Sequence, residues 1–448
     1  MSLSSDLDLD SPENIIILSL DCVRPEALSC YEDSFRKWKQ FPMEPSTPYI
    51  DSIANAGARY SNAFCQAPFT PASHASILTG LNPYNHGIRQ IVGQTLADDV
   101  TTVAEFANDA GYRTGAFIGA HALDSRYGFN SGFDIYDEDF ETTADNWELG
   151  HRRPCEEVMD KGLNWLKQDE NSPSLLFMHF FDAHDGELPT SDEHRVISAT
   201  RRLLDPFDQL VGRPLEVKKG YGHRFHIKQT QRIDKQIGLL TDYLRESGQF
   251  EDTLIFLLAD HGDAFGVHGE YNHRKFLFDV TTRIPFICKP HAEAKHLLEG
   301  ITQDVNSDIV RTIDILPTII DCLEGDNTSD SIDGLSLLNE RPDEIYAYNE
   351  TQFEKPGTNF EEIQHTYAAL RGIQWKLVVD RQSGERCLYN LSDDPGEHND
   401  VYEQNSQIAQ RLENKLSELS PDEGNIDTEM SKKEAKSVSK RLEELGYM

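Results

Sequence analysis

Basic residues are scarce in this chain of 448 residues. It has 18 lysines and 24 arginines, 42 basic residues in all, against 77 acidic ones, so the formal net charge is 42 − 77 = −35. A nucleic-acid-binding protein needs a basic face, and a protein that docks on anionic lipid needs a basic patch. The composition therefore argues against both classes, and we expect no nucleic-acid partner.

The acidic residues are spread along the chain and are not confined to a tail. A dispersed acidic surface suggests a protein kept soluble in concentrated salt, where screening cancels the self-repulsion of the charges. The alternative is an ordinary acidic enzyme. We expect a halophilic protein, whose thermal melting temperature rises from low to molar salt.

Long apolar runs and paired cysteines are both lacking. The first apolar run, Ile15 to Leu20, has six residues, whereas a membrane span needs roughly 20. The first 14 residues contain neither a basic region nor an apolar stretch typical of a targeting signal. The seven cysteines form no CxxC pair, so neither a disulfide framework nor a zinc knuckle is indicated. We expect no membrane span and a reducing, cytoplasmic location.

Short apolar runs alternate with helical patterns over the first 320 or so residues. Five runs are typical of buried parallel strands: Ile15–Leu20, Gly115–Ile118, Ser174–Phe180, Thr253–Leu258 and Ile284–Cys288. Helical patterns cover 47–54, 73–78, 96–110, 155–167, 226–246 and 308–323. The alternation predicts an α/β fold, a doubly wound and mostly parallel sheet with helices on both faces. In such sheets the ligand crevice lies at the carboxyl ends of the strands.

The pattern changes after about residue 325. Short alternating segments at 367–370, 375–379 and 386–391, separated by turn residues, predict a small antiparallel sheet. Two charged helical patterns follow, Val401–Leu419 and Met430–Leu445. We therefore predict an α/β domain over 12–330, a small antiparallel subdomain over 331–400 and a helical tail over 401–448.

Chemically capable side chains follow four of the predicted elements. Asp21 ends the first strand, although a lone aspartate at a strand end is often a helix cap or turn residue. Hydroxyl residues from Thr70 onward begin a predicted helix, where free N–H groups and the helix dipole favour an anion, or where they simply cap the helix. Asp182 and His184 end another strand, as a polar site or an ordinary loop turn.

The fourth segment is the most informative. Asp260-His261 follows a fully apolar strand and precedes Gly262, and His268 and His273 come within the next dozen residues. Carboxylate and imidazole side by side suit a divalent cation. Three histidines among glycine and acidic residues are hard to explain as packing, so this segment favours metal binding or catalysis.

Taken together, these segments resemble the sulfatase family within the alkaline phosphatase superfamily, over roughly residues 12 to 400. The most specific stretch runs from Ser73 to Gly87 and is similar to the family's signature around its nucleophile. Other similar stretches are Asp260-His261-Gly262, Gly266–Gly269, Thr47–Asp51, Leu388–Leu391 and Asp394–Glu397. The resemblance implies an alkaline-phosphatase-like fold and a metal-dependent hydrolase of phosphoric or sulfuric esters.

The resemblance also implies roles for individual residues. It places a divalent cation (Mn²⁺, Mg²⁺, Ca²⁺ or Zn²⁺) on Asp21, Asp260 and His261, with the nucleophile Thr70 as a further ligand. His184 and His273 match catalytic positions that contact the anion or the leaving oxygen. His74 stands where typical sulfatases have an arginine and is the implied substrate-binding residue. The implied substrate is a small-molecule or glycan ester, and no oligomeric state is implied.

The nucleophile position departs from the family. Sulfatases have a cysteine or serine there that is oxidised to formylglycine, and Thr70 does not yield that aldehyde, so no formylglycine is expected. Cys65 lies five residues upstream without the following proline and arginine. A formylglycine hydrate has a second hydroxyl that expels the sulfate, whereas a threonine ester must be attacked directly by water. Metal-assisted attack at phosphorus suits this limitation, so phosphodiester or phosphoryl transfer is favoured.

Other departures leave alternatives open. Cys22 stands where the family often has a second aspartate. Histidines 74, 184 and 273 could replace fixed cations with groups that titrate near neutral pH, acting as a general acid, or histidine could hold a second metal near Asp182 and His184. The protein could be a literal sulfuric ester hydrolase, a transferase if an acceptor resolves the ester, or an inactive binder of sulfated or phosphorylated glycans.

Overall fold

The computed structural model describes residues 11–31, 44–140, 152–184, 215–270, 272–298, 308–323, 332–354, 363–420 and 438–439. The strands are β1 (Asn14–Leu20), β2 (Ala58–Phe64), β3 (Arg113–Phe117), β4 (Ile135–Asp137), β5 (Ser174–Phe180), β6 (Thr253–Leu258), β7 (Arg283–Lys289), β8 (Val310–Arg311), β9 (Ala347–Glu354), β10 (Ile363–Arg371), β11 (Trp375–Asp380) and β12 (Arg386–Asn390). The α-helices are α1 (Pro48–Asn55), α2 (Thr70–Thr79), α3 (Pro83–His86), α4 (Val103–Asp109), α5 (Cys155–Leu166), α6 (Leu215–Glu246), α7 (Asp279–Thr282), α8 (Lys295–Leu298), α9 (Ile315–Cys322) and α10 (Ser406–Leu419).

Eight strands form one large sheet in the order β4-β3-β5-β1-β6-β7-β2-β8. The central strand β1 pairs in parallel with β5 and β6, and Leu18 lies opposite both Met178 and Leu257. Every side chain of these three strands is buried, as their apolar sequences predict. The predicted α/β fold with a mostly parallel sheet is confirmed.

One strand runs against its predicted direction. The run Ile284–Cys288 lies in β7, which pairs antiparallel with both β6 and β2. A parallel neighbour of β6 would need a crossover, usually a long helix, whereas the described part of the connection holds only short helical turns. Burial on both faces makes this strand as apolar as a parallel one, so its sequence alone does not reveal its direction.

Two predicted helices begin later than expected. The pattern over 96–110 becomes α4, which begins after Thr102 because Thr102 and Glu105 form a reciprocal capping box. The pattern over 308–323 begins instead with β8 and a 3₁₀ turn, Thr312–Asp314, and only then becomes α9. None of the described helices combines the length and the apolarity that a membrane crossing requires.

The second sheet has four antiparallel strands in the order β12-β11-β10-β9, which confirms the predicted small sheet. Its first strand, β9, was not predicted because its sequence, AYNETQFE, mixes polar and apolar residues. Leu412 and Leu416 of α10 share one core with Leu377 and Leu388 of the sheet. The predicted boundary at residue 400 therefore falls inside one packing unit. The second tail helix, 430–445, lies almost wholly outside the described residues.

Candidate active site

Three adjacent strands deliver the predicted site residues to one edge of the large sheet. Asp21 follows β1, His184 lies four residues beyond β5, and Asp260 lies two residues beyond β6. Because β5, β1 and β6 are parallel neighbours, their carboxyl ends open on the same side. The fourth contributor, Thr70, begins α2, whose ten residues are all buried.

Thr70 lies between an acid and an imidazole. Its Oγ1 lies 3.2 Å from Asp21 Oδ2 and 3.2 Å from His261 Nε2. All three side chains are fully buried. The structure thus brings three of the four predicted metal ligands into contact, at the N-terminal end of a helix where negative charge is favoured.

Asp260, the fourth predicted ligand, is fixed through one of its two oxygens. Asp260 Oδ1 accepts the backbone N–H groups of Cys22 at 3.1 Å and His261 at 2.8 Å. Ser73 Oγ donates to the carbonyl of Asp260 at 2.6 Å, which ties the helix α2 to this strand end. The other oxygen, Oδ2, lies 3.2 Å from His261 Nε2.

Both ring nitrogens of His261 have partners. Its Nδ1 lies 3.1 Å from the carbonyl of Gly262 and 3.6 Å from Cys22 Sγ, and its Nε2 faces Thr70 Oγ1 and Asp260 Oδ2. Because a carbonyl only accepts, a neutral ring that donates from Nδ1 presents the lone pair of Nε2 to the carboxylate set. A ring nitrogen positioned in this way through its other nitrogen is the arrangement that metal-binding histidines adopt.

The donors fit a divalent cation. Asp21 Oδ1 and Asp260 Oδ2 are buried and have no hydrogen-bond partner among the described residues. Buried carboxylate oxygens are costly without a donor or a cation. Asp21, Thr70, Asp260 and His261, here called the carboxylate set, offer three oxygen ligands and one nitrogen, which suit Mg²⁺, Mn²⁺, Ca²⁺ or Zn²⁺.

The two carboxylates have different electrostatic surroundings. Burial and the charge of Asp21 raise the pKa of Asp260 to about 6. Burial would also raise the pKa of Asp21, but the hydrogen bond from His179 and the histidines nearby lower it well below its usual range. Asp21 therefore stays ionised, whereas Asp260 is the first of the pair to take up a proton as the pH falls.

His179 is a site residue that sequence reasoning missed. Its Nε2 lies 3.2 Å from Asp21 Oδ2 and the ring is fully buried. His179 lies opposite Ser19 in the β1–β5 register, and each precedes the last residue of an apolar strand. A lone polar residue at that position in two neighbouring apolar runs is the signal that would have found it.

His74 contacts the backbone of the predicted nucleophile Thr70. Its Nδ1 is 2.9 Å from the carbonyl of Thr70 and its Nε2 is 2.8 Å from Ser19 Oγ. Burial holds the pKa of His74 well below its usual range, so the ring is neutral. Its predicted role in substrate binding stays a prediction, and in this arrangement the ring orients the first turn of α2.

A second cluster lies beside the carboxylate set. Cys22, His184 and His273, here called the thiol set, place their ligand atoms within 4.8 Å of one another. Cys22 Sγ is 3.7 Å from His273 Nδ1, and the rings of His184 and His273 lie 5.2 Å apart. Burial lowers the pKa of His273 and raises that of the Cys22 thiol. The two predicted catalytic histidines are therefore together, and they adjoin the carboxylate set, since the His273 ring centre lies 4.3 Å from that of His261 and Cys22 Sγ lies 3.6 Å from His261 Nδ1.

Asp182, in contrast, turns away from His184. Its Oδ1 accepts from Arg232 Nη1 at 3.1 Å and from the backbone N–H of Cys155 at 3.2 Å. Its possible metal-binding neighbours are Cys155 and Glu156, a separate group. The structure therefore does not bring Asp182 and His184 into one cluster.

The small sheet is joined to the loop that carries His273. Asp279, six residues further on, lies 2.8 Å from Lys376 Nζ and 3.0 Å from Arg371 Nε. Lys376 Nζ is also 2.7 Å from Glu397 Oε1, within the stretch Asp394–Glu397. His268 Nε2 contacts the carbonyl of Gly396 at 2.9 Å. These buried ion pairs connect the small sheet to one wall of the site.

Comparison with known proteins agrees with this arrangement. A family model described as Sulfatase matches residues 13–325. The chain belongs to the sulfatase family. A second model, the C-terminal region of N-sulphoglucosamine sulphohydrolase, matches residues 266–422. That range contains both the His273 loop and the small sheet that packs against it.

Individual relatives of this sulfatase-family protein are distant. N-acetylglucosamine-6-O-sulfatase of Bacteroides thetaiotaomicron is 24% identical over 491 residues, covering 87% of this chain and 82% of that protein. An arylsulfatase of Clostridium perfringens is 24% identical over 448 residues, covering 86% and 89%. The solved phosphonate monoester hydrolase of Agrobacterium radiobacter superposes with a TM-score of 0.69 at 18% identity, covering 91% of this chain and 95% of the other.

The cytoplasmic location and the halophilic character stay predictions.

Proposed function

We propose that the protein is a metal-dependent phosphoesterase that acts on a phosphodiester or related phosphoric ester through a covalent ester on Thr70. The observation that carries this proposal is the position of Thr70. Its hydroxyl begins a buried helix and lies 3.2 Å from both Asp21 Oδ2 and His261 Nε2. A nucleophile needs a nearby group that favours its ionised form, and the carboxylate set offers the ligands for one.

In the proposed first step, Thr70 gives up its hydroxyl proton to solvent and Oγ1 attacks phosphorus in line with the leaving oxygen, whose bond to phosphorus breaks as it takes a proton from the leaving-group acid. A divalent cation bound by the carboxylate set supplies charge that favours the alkoxide and neutralises the ester. Thr70 begins α2, and the N-terminal end of a helix favours negative charge that develops there. His74 holds the Thr70 carbonyl, and Ser73 ties α2 to the Asp260 carbonyl, so the nucleophile keeps its orientation.

In the second step, water or an acceptor hydroxyl resolves the threonine ester. Threonine lacks the second hydroxyl of a formylglycine hydrate, so its own oxygen must be the leaving group. Direct attack at phosphorus is well suited to this, because positioning and charge neutralisation supply most of the catalysis of phosphoryl transfer. A hydroxyl acceptor would make the protein a transferase.

The pKa of His273 argues against its predicted role as the leaving-group acid. Burial holds the pKa of His273 well below its usual range, so this ring is neutral and is a weak proton source at neutral pH. His184 lies 5.2 Å away between ring centres and stacks on Phe181. The proposed protonation of the leaving oxygen therefore does not rest on His273 alone, and His184 is the other candidate acid.

Sulfuric ester hydrolysis is the second candidate function. The family, and the two relatives named as sulfatases, favour it. It requires a threonine sulfate that water opens directly. Inactive binding of a sulfated or phosphorylated glycan is the third candidate, but the presence of Asp21, Thr70, Asp260 and His261 together speaks against it, because a binding module needs no nucleophile.

Turnover of matched p-nitrophenyl esters tests the proposal. The purified protein in high salt is given the sulfate, the phosphate monoester and a phosphodiester, each with Mn²⁺, Mg²⁺, Ca²⁺ or Zn²⁺. We expect the phosphodiester to be hydrolysed fastest and only with added cation. Removal of the cation with a chelator should abolish turnover and its return should restore it.

Other outcomes separate the candidates. Preferential hydrolysis of the sulfate would overturn the argument from the threonine ester and establish the second candidate. Absence of turnover on every ester, together with cation-independent affinity for a sulfated glycan, would establish the binder.

A further inference from the structure

The edge strand of the small sheet contacts the large domain. β9 is the last strand in the order β12-β11-β10-β9 and pairs within that sheet with β10. The backbone N–H of Glu350, in the middle of β9, donates to the carbonyl of Gln66 at 2.9 Å. Gln66 lies four residues before Thr70. The strand therefore adjoins the segment of chain that leads into the helix α2.

Two side chains of β9 donate to backbone carbonyls of the large domain. Asn349 Nδ2 donates to the carbonyl of Cys65. Thr351 Oγ1 donates to the carbonyl of Arg274. Both donors belong to fully buried side chains, and side chains two residues apart on a strand lie on one face, roughly 7 Å from each other. This face of β9 therefore holds two segments of the large domain at a fixed spacing.

The two segments carry the predicted nucleophile and a predicted catalytic histidine. Cys65 lies five residues before Thr70. Arg274 directly follows His273, whose ring centre lies 4.3 Å from that of His261. A shift of either segment would therefore change the distance between the Thr70 hydroxyl and the histidine rings.

The backbone conformation of Arg274 requires support from its surroundings. Its φ is +90°, in the left-handed region that residues with a side chain rarely adopt. A strained conformation of this kind persists only where the neighbouring structure fixes it. The Thr351 hydroxyl donates to the carbonyl of this same residue. It therefore opposes relaxation of the turn, which would move His273.

We propose that Asn349 and Thr351 are positioning residues, which set the separation between Thr70 and His273 from a strand of the small sheet. Their effect passes through the backbone carbonyls that they hold and not through contact with the ester. The inference rests on the proposed function, because it concerns how two residues of that site are held in place. It gives the small sheet a part in catalysis.

Turnover of the phosphodiester by matched variants tests the proposal. Thr351→Val keeps the shape of the side chain and removes its donor, and kcat should fall about 10–100-fold, because a misplacement of about 1 Å can cost 100-fold. KM should change little, since contacts to the ester are kept. Thr351→Ser keeps the hydroxyl and should restore most of kcat. Thr366→Val makes the same change at a half-buried position of the neighbouring strand β10 and should keep the wild-type kcat.

Nuclear magnetic resonance of the histidine rings needs no ester and separates this inference from the proposed function. The full chain is isotopically labelled at the ring Cε1 of histidine, and the His273 signal is identified by its loss in His273→Gln. We expect this signal to shift in Thr351→Val and to stay in place in Thr351→Ser and Thr366→Val. A contact that only stabilises the fold would lower the melting temperature of Thr351→Val and leave the His273 signal unmoved.

Asn349→Leu provides a second test if Thr351→Val folds poorly. Asn349 Oδ1 is buried and has no hydrogen-bond partner in the part of the chain that the structure describes. Leucine, of similar volume, therefore removes the donor to Cys65 without breaking another hydrogen bond, and kcat should fall while the variant stays folded.

Two results would overturn the proposal. One is a His273 signal that stays unmoved in Thr351→Val. The other is a kcat of Thr351→Val or Asn349→Leu that equals the kcat of Thr366→Val. A shifted His273 signal in a protein that turns over no ester would support the positioning role and refute only the proposed function.

Discussion

Buried aspartates in two regions of the large domain have opposite arrangements of hydrogen-bond donors around them. Asp314, between β8 and α9, is fully buried. One of its oxygens accepts from Arg311 Nη2 at 2.7 Å and from the Leu335 N–H at 2.9 Å, and the other accepts from Arg341 Nη2 at 2.8 Å and from the Arg311 N–H at 3.0 Å. Every acceptor position faces a donor that belongs to the fold.

Asp21 and Asp260 are equally buried but are not satisfied in this way. Each keeps one oxygen without a hydrogen-bond partner among the described residues. A buried carboxylate that the fold satisfies has a structural role, whereas one that the fold leaves open needs something from outside. The comparison thus separates an aspartate whose acceptors the fold satisfies from two aspartates whose open oxygens suit a cation.

The largest expected effect is the loss of turnover when the nucleophile Thr70, which lies beside Asp21, is removed. Thr70→Ala should lower kcat on the preferred ester by about 10⁴-fold or more, because removal of a catalytic nucleophile costs at least this much. Steady-state kinetics at saturating cation measure it. Thr79→Ala is the matched control, since Thr79 lies in the same helix and its hydroxyl contacts only backbone groups, the Ala75 carbonyl and the Leu81 N–H, among the described residues. Equal rates for Thr70→Ala and Thr79→Ala would contradict the assignment.

Replacement of Asp314, whose acceptors the fold satisfies, should lower the free energy of unfolding. Asp314→Asn should lower the free energy of unfolding by about 3–5 kcal/mol, because it leaves two arginines buried without their acid. Urea unfolding measures it in high salt. A loss below about 1 kcal/mol would mean that the network around Asp314 contributes little to stability. The contrast between Asp314 and the two site aspartates would then not hold.

Replacement of Asp260 in metal-free protein should have the opposite effect on stability. In chelated protein, Asp260→Asn should raise the free energy of unfolding by about 1–2 kcal/mol, since it removes a buried charge that lies near Asp21. The amide keeps the oxygen that accepts from Cys22 and His261. With the cation present the sign should reverse, because the variant loses a ligand. The same urea experiment with and without cation decides it, and a destabilised metal-free variant would show that Asp260 is structural.

The smallest expected effect is the pH dependence of the stability that Asp314 contributes. Burial alone would raise the pKa of Asp314, but the charges of Arg311 and Arg341 hold it below its usual range. A depressed folded-state pKa gives stability that is fully present above the unfolded value of about 3.9 and is lost as pH falls through the folded value. The difference between wild type and Asp314→Asn should therefore be constant from pH 7 to about 5 and shrink below about 4. A difference that grows on acidification would refute this.

The sequence predicted the large sheet well because its central strands are apolar on both faces. The direction of β7 was missed for the same reason, since burial on both sides leaves no trace of strand direction. The strands β2 and β9 were missed because polar residues interrupt their alternation. These elements are defined by their neighbours and not by their own residues.

The candidate site shows a similar division. Residues at strand ends, such as Asp21 and Asp260, could be placed from the order of the strands alone. His179 is a polar residue inside an apolar strand, which marks it in the sequence, but only the register with β1 shows that it reaches Asp21. The tautomer of His261 and the neutral state of His74 depend on carbonyls of Gly262 and Thr70, and such contacts exist only in the folded chain.

The central claim is that Thr70 forms a covalent ester during turnover. The most direct measurement is acid quenching of the protein with a p-nitrophenyl phosphonate monoester, followed by mass spectrometry of the peptide that contains Thr70. The account predicts a phosphonyl group on Thr70 in the wild type and none in Thr70→Ala. An unmodified Thr70 in protein that turns over this ester, with turnover unchanged in Thr70→Ala, would contradict it.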